Sequence, residues 1–275
     1  MKKSVFLLAI IMLFSLFGCT ENIVSESQSE IFEEEPLLEE ETEHEEETMP
    51  EGAAEKQEEE PERKAETKTY VRSLTNGLSV RSGPGTKYDK TGTLDAGDMA
   101  AYCGTEGEWH RTFYRGRVAY VSAKYSGLTE MTVADERTES VIALGAKYLG
   151  TPYVYGATRL HDGQGRLLKN FTDTEFDCSS YMQYIFYYGA DVVLRETTRT
   201  QVTQGIAVQK DELQRGDLIF MTNSSRKNLT GVERIGHVAL YLGDNYILHT
   251  ASDHAVIEKM TAARWNNYVT ARRMI

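Results

Sequence analysis

The sequence is poor in cysteine, in basic residues and in long hydrophobic runs. Its net charge of −12 leaves no basic excess, so no nucleic-acid partner is expected. The apolar run at 5–17 is too short to span a bilayer as a helix. No close pair of Cys and His has helical or C-x-x-C spacing, so we expect neither a metal nor a cofactor. A zinc site formed by Cys178, His237 and His249 is the alternative.

The first residues have the pattern of an export signal. Two lysines precede the apolar run, which ends in Leu16-Phe17-Gly18-Cys19. A basic start and an apolar stretch of this length predict a removable signal over residues 1–18. The Leu-x-Gly-Cys ending resembles the bacterial lipobox. That resemblance implies a lipoprotein signal peptide and an exported protein, anchored through lipid on Cys19 to the outer face of the cytoplasmic membrane in the cell envelope. An ordinary signal peptide cleaved elsewhere is the alternative.

Residues 19–68 are rich in glutamate. Within 21–68 there are 20 Glu, no Asp and four Lys or Arg, a net charge of −16, which leaves residues 69–275 nearly balanced at +2. Self-repulsion and the scarcity of apolar residues predict a disordered tether that extends the folded part away from the membrane. A specific acidic interaction tail is the alternative.

One cysteine has the surroundings of a nucleophile. Asp177 is a good helix N-cap, apolar residues recur at helical spacing after Cys178, and Gly189 predicts the end of the helix. A thiol at a helix start is stabilised as thiolate by the helix dipole, so we expect a lowered pKa for Cys178. The alternative is a buried Cys that packs as a small hydrophobic residue.

From the other cysteines we expect no disulfide framework. With Cys19 assigned to lipid and Cys178 to catalysis, Cys103 alone remains. A Cys103–Cys178 bridge is the competing interpretation, and it would abolish the nucleophile. About 207 residues are left to fold, enough for two compact domains.

Residues 69–128 consist of short β-rich pieces separated by turn residues, which predicts a small all-β barrel. The run Leu78-Ser79-Val80-Arg81-Ser82-Gly83-Pro84-Gly85 resembles the signature of bacterial SH3-like domains. Ser79 stands where that family more often has Asn. The resemblance implies cell-wall binding or positioning of an attached enzyme, and a structural spacer is the alternative.

Residues 134–275 form the second predicted domain. An amphipathic helix is expected over Ser140–Leu149, and a buried strand over Leu218–Met221. The long polar segment 157–174 is typical of a functional loop at a cleft rim.

Two histidines fall on a predicted hairpin. Strands containing His237 and His249 are separated by Gly243-Asp244-Asn245. A three-residue loop pairs Ala239 with His249 and brings both histidines to one face, whereas a two-residue loop would separate them. We therefore predict His237 as the general base for Cys178 and His249 as its orienting group.

Successive motifs of this second domain resemble the NlpC-type cell-wall peptidase family. They are Tyr153-Val154-Tyr155-Gly156, Phe176-Asp177-Cys178-Ser179-Ser180, Arg199-Thr200-Gln201, Leu213-Gln214-Arg215-Gly216-Asp217-Leu218-Ile219-Phe220 and Gly236-His237-Val238-Ala239-Leu240-Tyr241-Leu242-Gly243. The resemblance implies an α+β, papain-like fold in which the Cys helix packs on an antiparallel sheet. It also implies a cysteine peptidase that cleaves peptidoglycan stem peptides at the γ-D-glutamyl–diamino acid bond through a Cys178, His237 and His249 triad.

By the same resemblance, Asp177 and Ser179 contact the peptide end of the substrate and Tyr155 is an active-site tyrosine. We expect a monomer whose partners are peptidoglycan peptides and, through Cys19, the membrane. Two alternatives stay open. One is a cysteine amidase or acyl transferase acting on another cell-wall amide, and the other is a non-catalytic wall-binding lipoprotein.

Overall fold

The computed structural model describes residues 65–250 and 253–275. The predicted signal peptide, Cys19 and all but the last residues of the predicted tether lie outside the described residues. In the described part of the chain, no helix has the length and hydropathy needed to cross a membrane.

The N-terminal module, residues 67–132, contains eight of the described strands. They are β1 (Thr67–Ser73), β2 (Leu78–Arg81), β3 (Lys90–Leu94), β4 (Met99–Ala101), β5 (Thr105–Glu106), β6 (Trp109–Tyr114), β7 (Arg117–Ser122) and β8 (Ser126–Thr132). One five-stranded sheet has the order β3-β2-β7-β6-β5. Strands β8, β1 and β4 pair with one another, in that order, in a second sheet. Alternate residues of β2 point inward, which buries Leu78 and Val80 in the core. The first strand begins at Thr67, two residues before the predicted start at 69.

The C-terminal module, residues 135–275, packs helices on an antiparallel sheet. Its helices are α1 (Glu136–Lys147), α2 (Cys178–Ala190), α3 (Thr198–Gln201) and α4 (Ala262–Asn266). Its strands are β9 (Ile206–Val208), β10 (Leu218–Met221), β11 (His237–Gly243), β12 (Tyr246–Thr250), β13 (Ala255–Lys259) and β14 (Tyr268–Arg273). The strand order β13-β12-β11-β10-β14-β9 places the histidine hairpin in the middle of the sheet.

Helix α1 starts earlier than the amphipathic pattern predicts, at Glu136 rather than Ser140. The side chain of Asp135 accepts hydrogen bonds from the backbone N–H groups of Arg137 and Thr138, so it caps the helix there. The cap and the first turn lie before the apolar residues of the helix. A prediction from the apolar pattern alone therefore places the helix start too late.

Helix α2 is buried along almost its whole length, and Tyr181, Met182, Ile185 and Phe186 are fully enclosed. The prediction that Gly189 ends the helix is wrong. Asp191 ends it in the left-handed conformation, with φ 53°. Gly189 lies inside the helix because a Cβ there would come within 2.7 Å of the Val141 backbone on α1. The glycine therefore permits close packing of the two helices.

The two modules share one sheet, a feature that the sequence patterns do not predict. Strand β4 pairs with β13 through Met99 and Ile257, which joins the strands into the continuous order β8-β1-β4-β13-β12-β11-β10-β14-β9. Met99 and Ile257 are both fully buried. The modules thus meet along a common sheet and a common apolar core.

Polar contacts reinforce this junction. The two-residue turn Arg115-Gly116 of the N-terminal module has positive φ at both residues. Its backbone N–H groups donate to the carbonyls of Leu149 and Lys147 at the end of α1, over 2.8 and 2.9 Å. The Nε of Arg115 donates to the Gly150 carbonyl over 2.7 Å. Carbonyl groups left open at a helix end are thereby satisfied by the other module.

Candidate active site

Cys178 is the first residue of α2, as the sequence predicts, and its cap is a closed network. The Oδ1 of Asp177 accepts from the Ser180 backbone N–H over 2.8 Å and from the Ser179 hydroxyl over 3.0 Å. The Ser180 hydroxyl in turn accepts from the Asp177 N–H over 2.9 Å, completing a capping box. The Cys178 thiol is free, so the alternative of a Cys103–Cys178 bridge is wrong.

The expectation that the helix start lowers the thiol pKa is wrong. Burial, followed by the charge of Asp177, raises the pKa of Cys178 to about 12, although hydrogen bonds from the backbone N–H groups of Val238 and Ser179 act to lower it. Desolvation of the buried sulfur outweighs the local field of the helix. The resting nucleophile is therefore a neutral thiol that needs a base. Val238, whose N–H meets the sulfur, immediately follows His237.

The side chains of His237 and His249 meet on one face, as predicted, but the connecting turn differs from the prediction. Gly243 pairs with Tyr246, which leaves only Asp244-Asn245 as the turn, with φ of 49° and 67°. Positive φ at both positions is typical of a two-residue type I′ turn. Such a turn alone would place the histidines on opposite faces. A bulge between Tyr241 and Gly243 shifts the pairing by one residue, so that Leu240 lies opposite Leu248 and the histidines share a face.

Arg215 holds this bulge in place. Its Nη1 donates to the carbonyl of Leu242, the bulged residue, over 2.8 Å. Its Nε and Nη2 form a buried ion pair with Glu139 of α1, and its Nη2 also donates to the Tyr70 hydroxyl over 2.7 Å. Tyr70 belongs to β1 of the N-terminal module. The Arg215 guanidinium thus links the bulge that sets the pairing of the histidine strands to residues of both modules.

The hydrogen-bonded pair of histidines also contacts a carboxylate, Glu258, which the sequence analysis did not identify. His237 Nε2 lies 2.8 Å from His249 Nδ1, and His249 Nε2 lies 2.7 Å from Glu258 Oε1. Arg264 Nη2 donates to the same Glu258 oxygen. Since an ionised carboxylate only accepts, His249 carries its proton on Nε2 and accepts on Nδ1 from His237. His237 then keeps the Nδ1 lone pair available as a base.

The electrostatics keep both rings neutral. Burial, the neighbouring His249 and the Arg264 charge lower the pKa of His237 well below its usual value. Burial also lowers the pKa of His249, against the opposing effect of Glu258. Although burial alone would raise it, the pKa of Glu258 is lowered by the hydrogen bond from His249 and by the charge of Arg264. The chain from Glu258 to His237 is therefore a carboxylate and two neutral imidazoles.

Glu258 was predictable in principle. Strand β13 pairs with β12 so that His249 lies opposite Val256 and Ile247 opposite Glu258. Glu258 is then the diagonal neighbour of His249 on the same face, the relation that also links the two histidines. The missing step was to recognise 255–259 as the next strand.

Tyr153 lies close enough to Cys178 for the two side chains to interact electrostatically. The Tyr155 side chain is 88% exposed, and the sequence-based role of Tyr155 stays a prediction. Burial, followed by the charges of Cys178 and Asp177, raises the pKa of Tyr153, so its hydroxyl remains protonated and can donate a hydrogen bond. Tyr153 also lines the cleft with the histidines.

The predicted loop 157–174 contributes a cation that the sequence analysis did not single out. Arg159 Nη2 donates to Asp177 Oδ2 over 2.8 Å, and its Nη1 donates to the Ala157 carbonyl. This ion pair is largely buried. Asp177 is thus shared among its own helix, Ser179 and Arg159, so the carboxylate that was predicted to contact substrate is already neutralised.

A polar cleft of about 310 Å³ opens beside the histidines. It is lined by Tyr153, His237 and His249 together with polar residues that follow β10 and β12 and those around α4. Among the described residues, no group of three or more His, Cys, Asp or Glu is arranged to hold a metal ion. The site offers a thiol, a base, an orienting chain and hydrogen-bond donors, which are the parts of an acyl-transfer centre.

Two family matches agree with this architecture. Residues 150–274 match the NlpC/P60 family, and residues 76–126 match the bacterial SH3 domain. The predicted fold class, an α+β NlpC-type domain preceded by an all-β SH3-like module, is confirmed. The matches also support the prediction of an enzyme of the cysteine peptidase class.

Named relatives have related activities. The chain is 27% identical over 197 residues to a gamma-DL-glutamyl hydrolase of Bacillus subtilis, covering 68% of this chain and 43% of that protein. It is 29% identical over 140 residues to a gamma-D-glutamyl-L-lysine dipeptidyl-peptidase of Bacillus cereus, covering 50% and 36%. A solved NlpC/P60 family protein from Bacillus cereus aligns with 21% identity and a TM-score of 0.41, covering 75% of this chain and 63% of that one. The chain spans less than half the length of these two curated relatives.

Proposed function

We propose that this chain is a cell-wall hydrolase, a cysteine endopeptidase that cleaves peptidoglycan stem peptides at the bond between γ-D-glutamate and a diamino acid. The observation that carries the proposal is the hydrogen bond between His237 and His249, on a strand whose Val238 N–H meets the Cys178 thiol at the start of a buried helix. The names of the relatives, which include a gamma-D-glutamyl-L-lysine dipeptidyl-peptidase, favour this substrate class.

In the first step, Cys178 Sγ forms a bond to the scissile carbonyl carbon while its proton passes to His237 Nδ1. The proton moves together with the attack because burial raises the thiol pKa to about 12 and lowers that of His237. The oxyanion is met by the backbone N–H of Cys178 and by one further donor, for which Tyr153 is the candidate.

In the second step, the C–N bond breaks as His237 gives the proton to the leaving amine. A thioester on Cys178 remains. Water then loses a proton to His237 and attacks the thioester carbonyl, which releases the acid product and restores the thiol. His249 and Glu258 keep His237 in the tautomer that both steps need.

The location of the protein is part of the proposal. The lipobox-like segment supports a location outside the cytoplasmic membrane, with the chain tethered through lipid on Cys19 and the Glu-rich stretch providing reach. Metabolic labelling with palmitate tests this, since Cys19→Ala should lose the label and wild type should retain it. Equal labelling of both proteins would contradict the anchor.

The decisive test compares wild type and Cys178→Ala on purified muropeptides, with products identified by mass spectrometry. The proposal expects γ-D-glutamyl products from wild type alone. Cleavage at the sugar–peptide amide would instead identify an amidase, and a new amide product an acyl transferase. Equal release by both proteins would contradict the triad and favour a wall-binding role.

A further inference from the structure

The cleft beside the histidines contains two buried hydroxyl groups without protein partners. Thr222, just after β10, is 6% exposed, and Thr250, at the end of β12, is 1% exposed. Among the described residues, neither Oγ1 atom has a hydrogen-bond partner. Both residues line the same cleft, together with Asn267 and Arg264. Buried polar groups in folded proteins nearly always have partners, so two unpaired hydroxyls in the wall of one cleft favour a polar ligand, which they would reach by rotation of the threonine side chains.

The position of this cleft relative to the reacting groups identifies which half of a substrate it takes. The cleft is lined by His237 and His249, whereas Cys178 is not among its lining residues. In the proposed function, on which this inference rests, His237 delivers a proton to the leaving amine. The amine must therefore stand near His237, and because His237 lines the cleft, the residue that carries the amine can extend into it.

The charge of the cleft fits the end of a peptide. Arg264 uses one N–H group on Glu258, and the structure shows no other side-chain hydrogen bond for its guanidinium among the described residues. A guanidinium has five N–H donors, so Arg264 can also bind a carboxylate. Thr222, Thr250 and Asn267 add neutral groups that suit amide and carbonyl groups.

We infer that Thr222, Thr250, Asn267 and Arg264 form a subsite for the leaving half of the substrate, an amino acid or short peptide that ends in a carboxylate. The subsite would select the residue on the amine side of the scissile bond and not the residue on its acyl side. The sequence patterns assign no role to these four residues.

A pair of substrates with the same acyl half isolates this subsite. One carries L-lysine after γ-D-glutamate, and the other carries p-nitroaniline, which lacks the carboxylate and the peptide groups. The measured quantity is the ratio of kcat/KM for the peptide to kcat/KM for the anilide. Thr222→Val and Thr250→Val should each lower this ratio by about 3- to 10-fold, the effect of one lost hydrogen bond.

Thr129→Val on β8 of the N-terminal module is the matched control and should keep the wild-type ratio. The ratio corrects for any general loss of activity in the Thr250 variant, since damage to His249 affects both substrates. Ratios for the Thr222 and Thr250 variants equal to that of the control would overturn the subsite.

A binding experiment separates failure of the subsite from failure of the proposed function. Cys178→Ala is titrated with L-lysyl-D-alanine while the His249 imidazole resonances are followed by NMR. The subsite predicts saturable shifts that need about 3- to 10-fold more dipeptide when Thr222→Val is added. If wild type cleaves neither substrate, the proposed activity is wrong and the titration alone decides the subsite. Absence of saturable shifts would refute the subsite.

Discussion

His249 donates a hydrogen bond from Nε2 to the carboxylate of Glu258 over 2.7 Å, and this contact sets the protonation of the whole histidine pair. His249 is fully buried, so no solvent competes for its ring nitrogens. With Nε2 protonated, Nδ1 can only accept, and the proton between the two rings belongs to His237 Nε2. Glu258 therefore acts on His237, two hydrogen bonds away, as a positioning residue.

Glu258→Gln should lower kcat by about 100-fold with little change in KM, because an amide can donate to His249 and permits the unproductive tautomer. Steady-state kinetics on a stem peptide measures the effect, and Glu258→Asp should recover part of it. Nitrogen NMR of the ring atoms should show the tautomer change directly. Glu130→Gln, a surface change at the Thr67–Glu130 contact, is the control. Equal kcat in the Glu258 and Glu130 variants would contradict this role.

The pH profile should have an unusually acidic lower limb. The base works only when neutral, and burial with the nearby His249 and Arg264 lowers the pKa of His237 well below 6.5. Lowering the pH to 6 should therefore leave kcat/KM near its maximum, and the fall should come only at more acidic pH. Measurement of kcat/KM from pH 4 to 9 in buffers of constant ionic strength checks this. A limb centred at 6.5 or above would contradict the neutral pair.

Alkylation of the thiol should be slow at neutral pH even though the residue is the nucleophile. Burial raises the pKa of Cys178 to about 12, so the thiolate fraction grows about tenfold for each pH unit up to that value. Iodoacetamide labelling, followed on the Cys178 peptide by mass spectrometry, should rise steadily from pH 7 to 10. A plateau near pH 7 would show a thiolate at rest. Slow labelling at pH 7 therefore does not by itself indicate an inactive protein.

Arg159→Ala should change which substrates are accepted. In the wild-type protein Arg159 neutralises Asp177, so a positively charged peptide end gains little from that carboxylate. Removing the guanidinium should raise the preference for peptides with a free amino end over N-acetylated ones by about tenfold. Competition between the two peptides in one reaction measures this. Arg166→Ala, which removes an exposed pair with Asp162 in the same loop, should leave the preference unchanged.

Arg215→Met should lower the free energy of unfolding by about 3 kcal/mol, because it removes the closer of the two cations paired with the buried Glu139. Denaturant titration should still show one transition, since the shared sheet and apolar core join the two modules even when the bonds of Arg215 to Tyr70 and Glu139 are lost. Loss of the bond to the Leu242 carbonyl should also lower kcat by loosening the histidine register. Arg226→Met breaks a more exposed pair and should cost about 1 kcal/mol or less. Two separate transitions in the wild type would contradict the junction.

The sequence was sufficient for the elements whose signals are local. The N-cap at Asp177, the alternation around His237 and His249 and the turn residues between them predict the helix start and a shared histidine face. The face was predicted for the wrong reason, because a bulge at Leu242 compensates for a shorter turn than expected. A bulge stabilised by Arg215, 27 residues away, leaves no local pattern.

The parts that could not be predicted depend on tertiary contacts. The raised pKa of Cys178 results from its burial by tertiary packing, which no flanking residue encodes. The ion pair of Arg159 with Asp177 requires a polar loop to fold back on the helix start. The pairing of Met99 with Ile257 joins strands that the sequence assigns to separate domains.

That single pairing restricts how this gene can be rearranged. A barrel joined to an enzyme only by a flexible linker can be replaced by another barrel without effect on the fold of the enzyme. Strand β13, which carries Glu258, pairs with β12 along one edge and with β4 along the other. Any substitute for residues 67–132 would have to supply a strand in the place of β4, so the N-terminal module cannot be exchanged without changing the neighbour of β13.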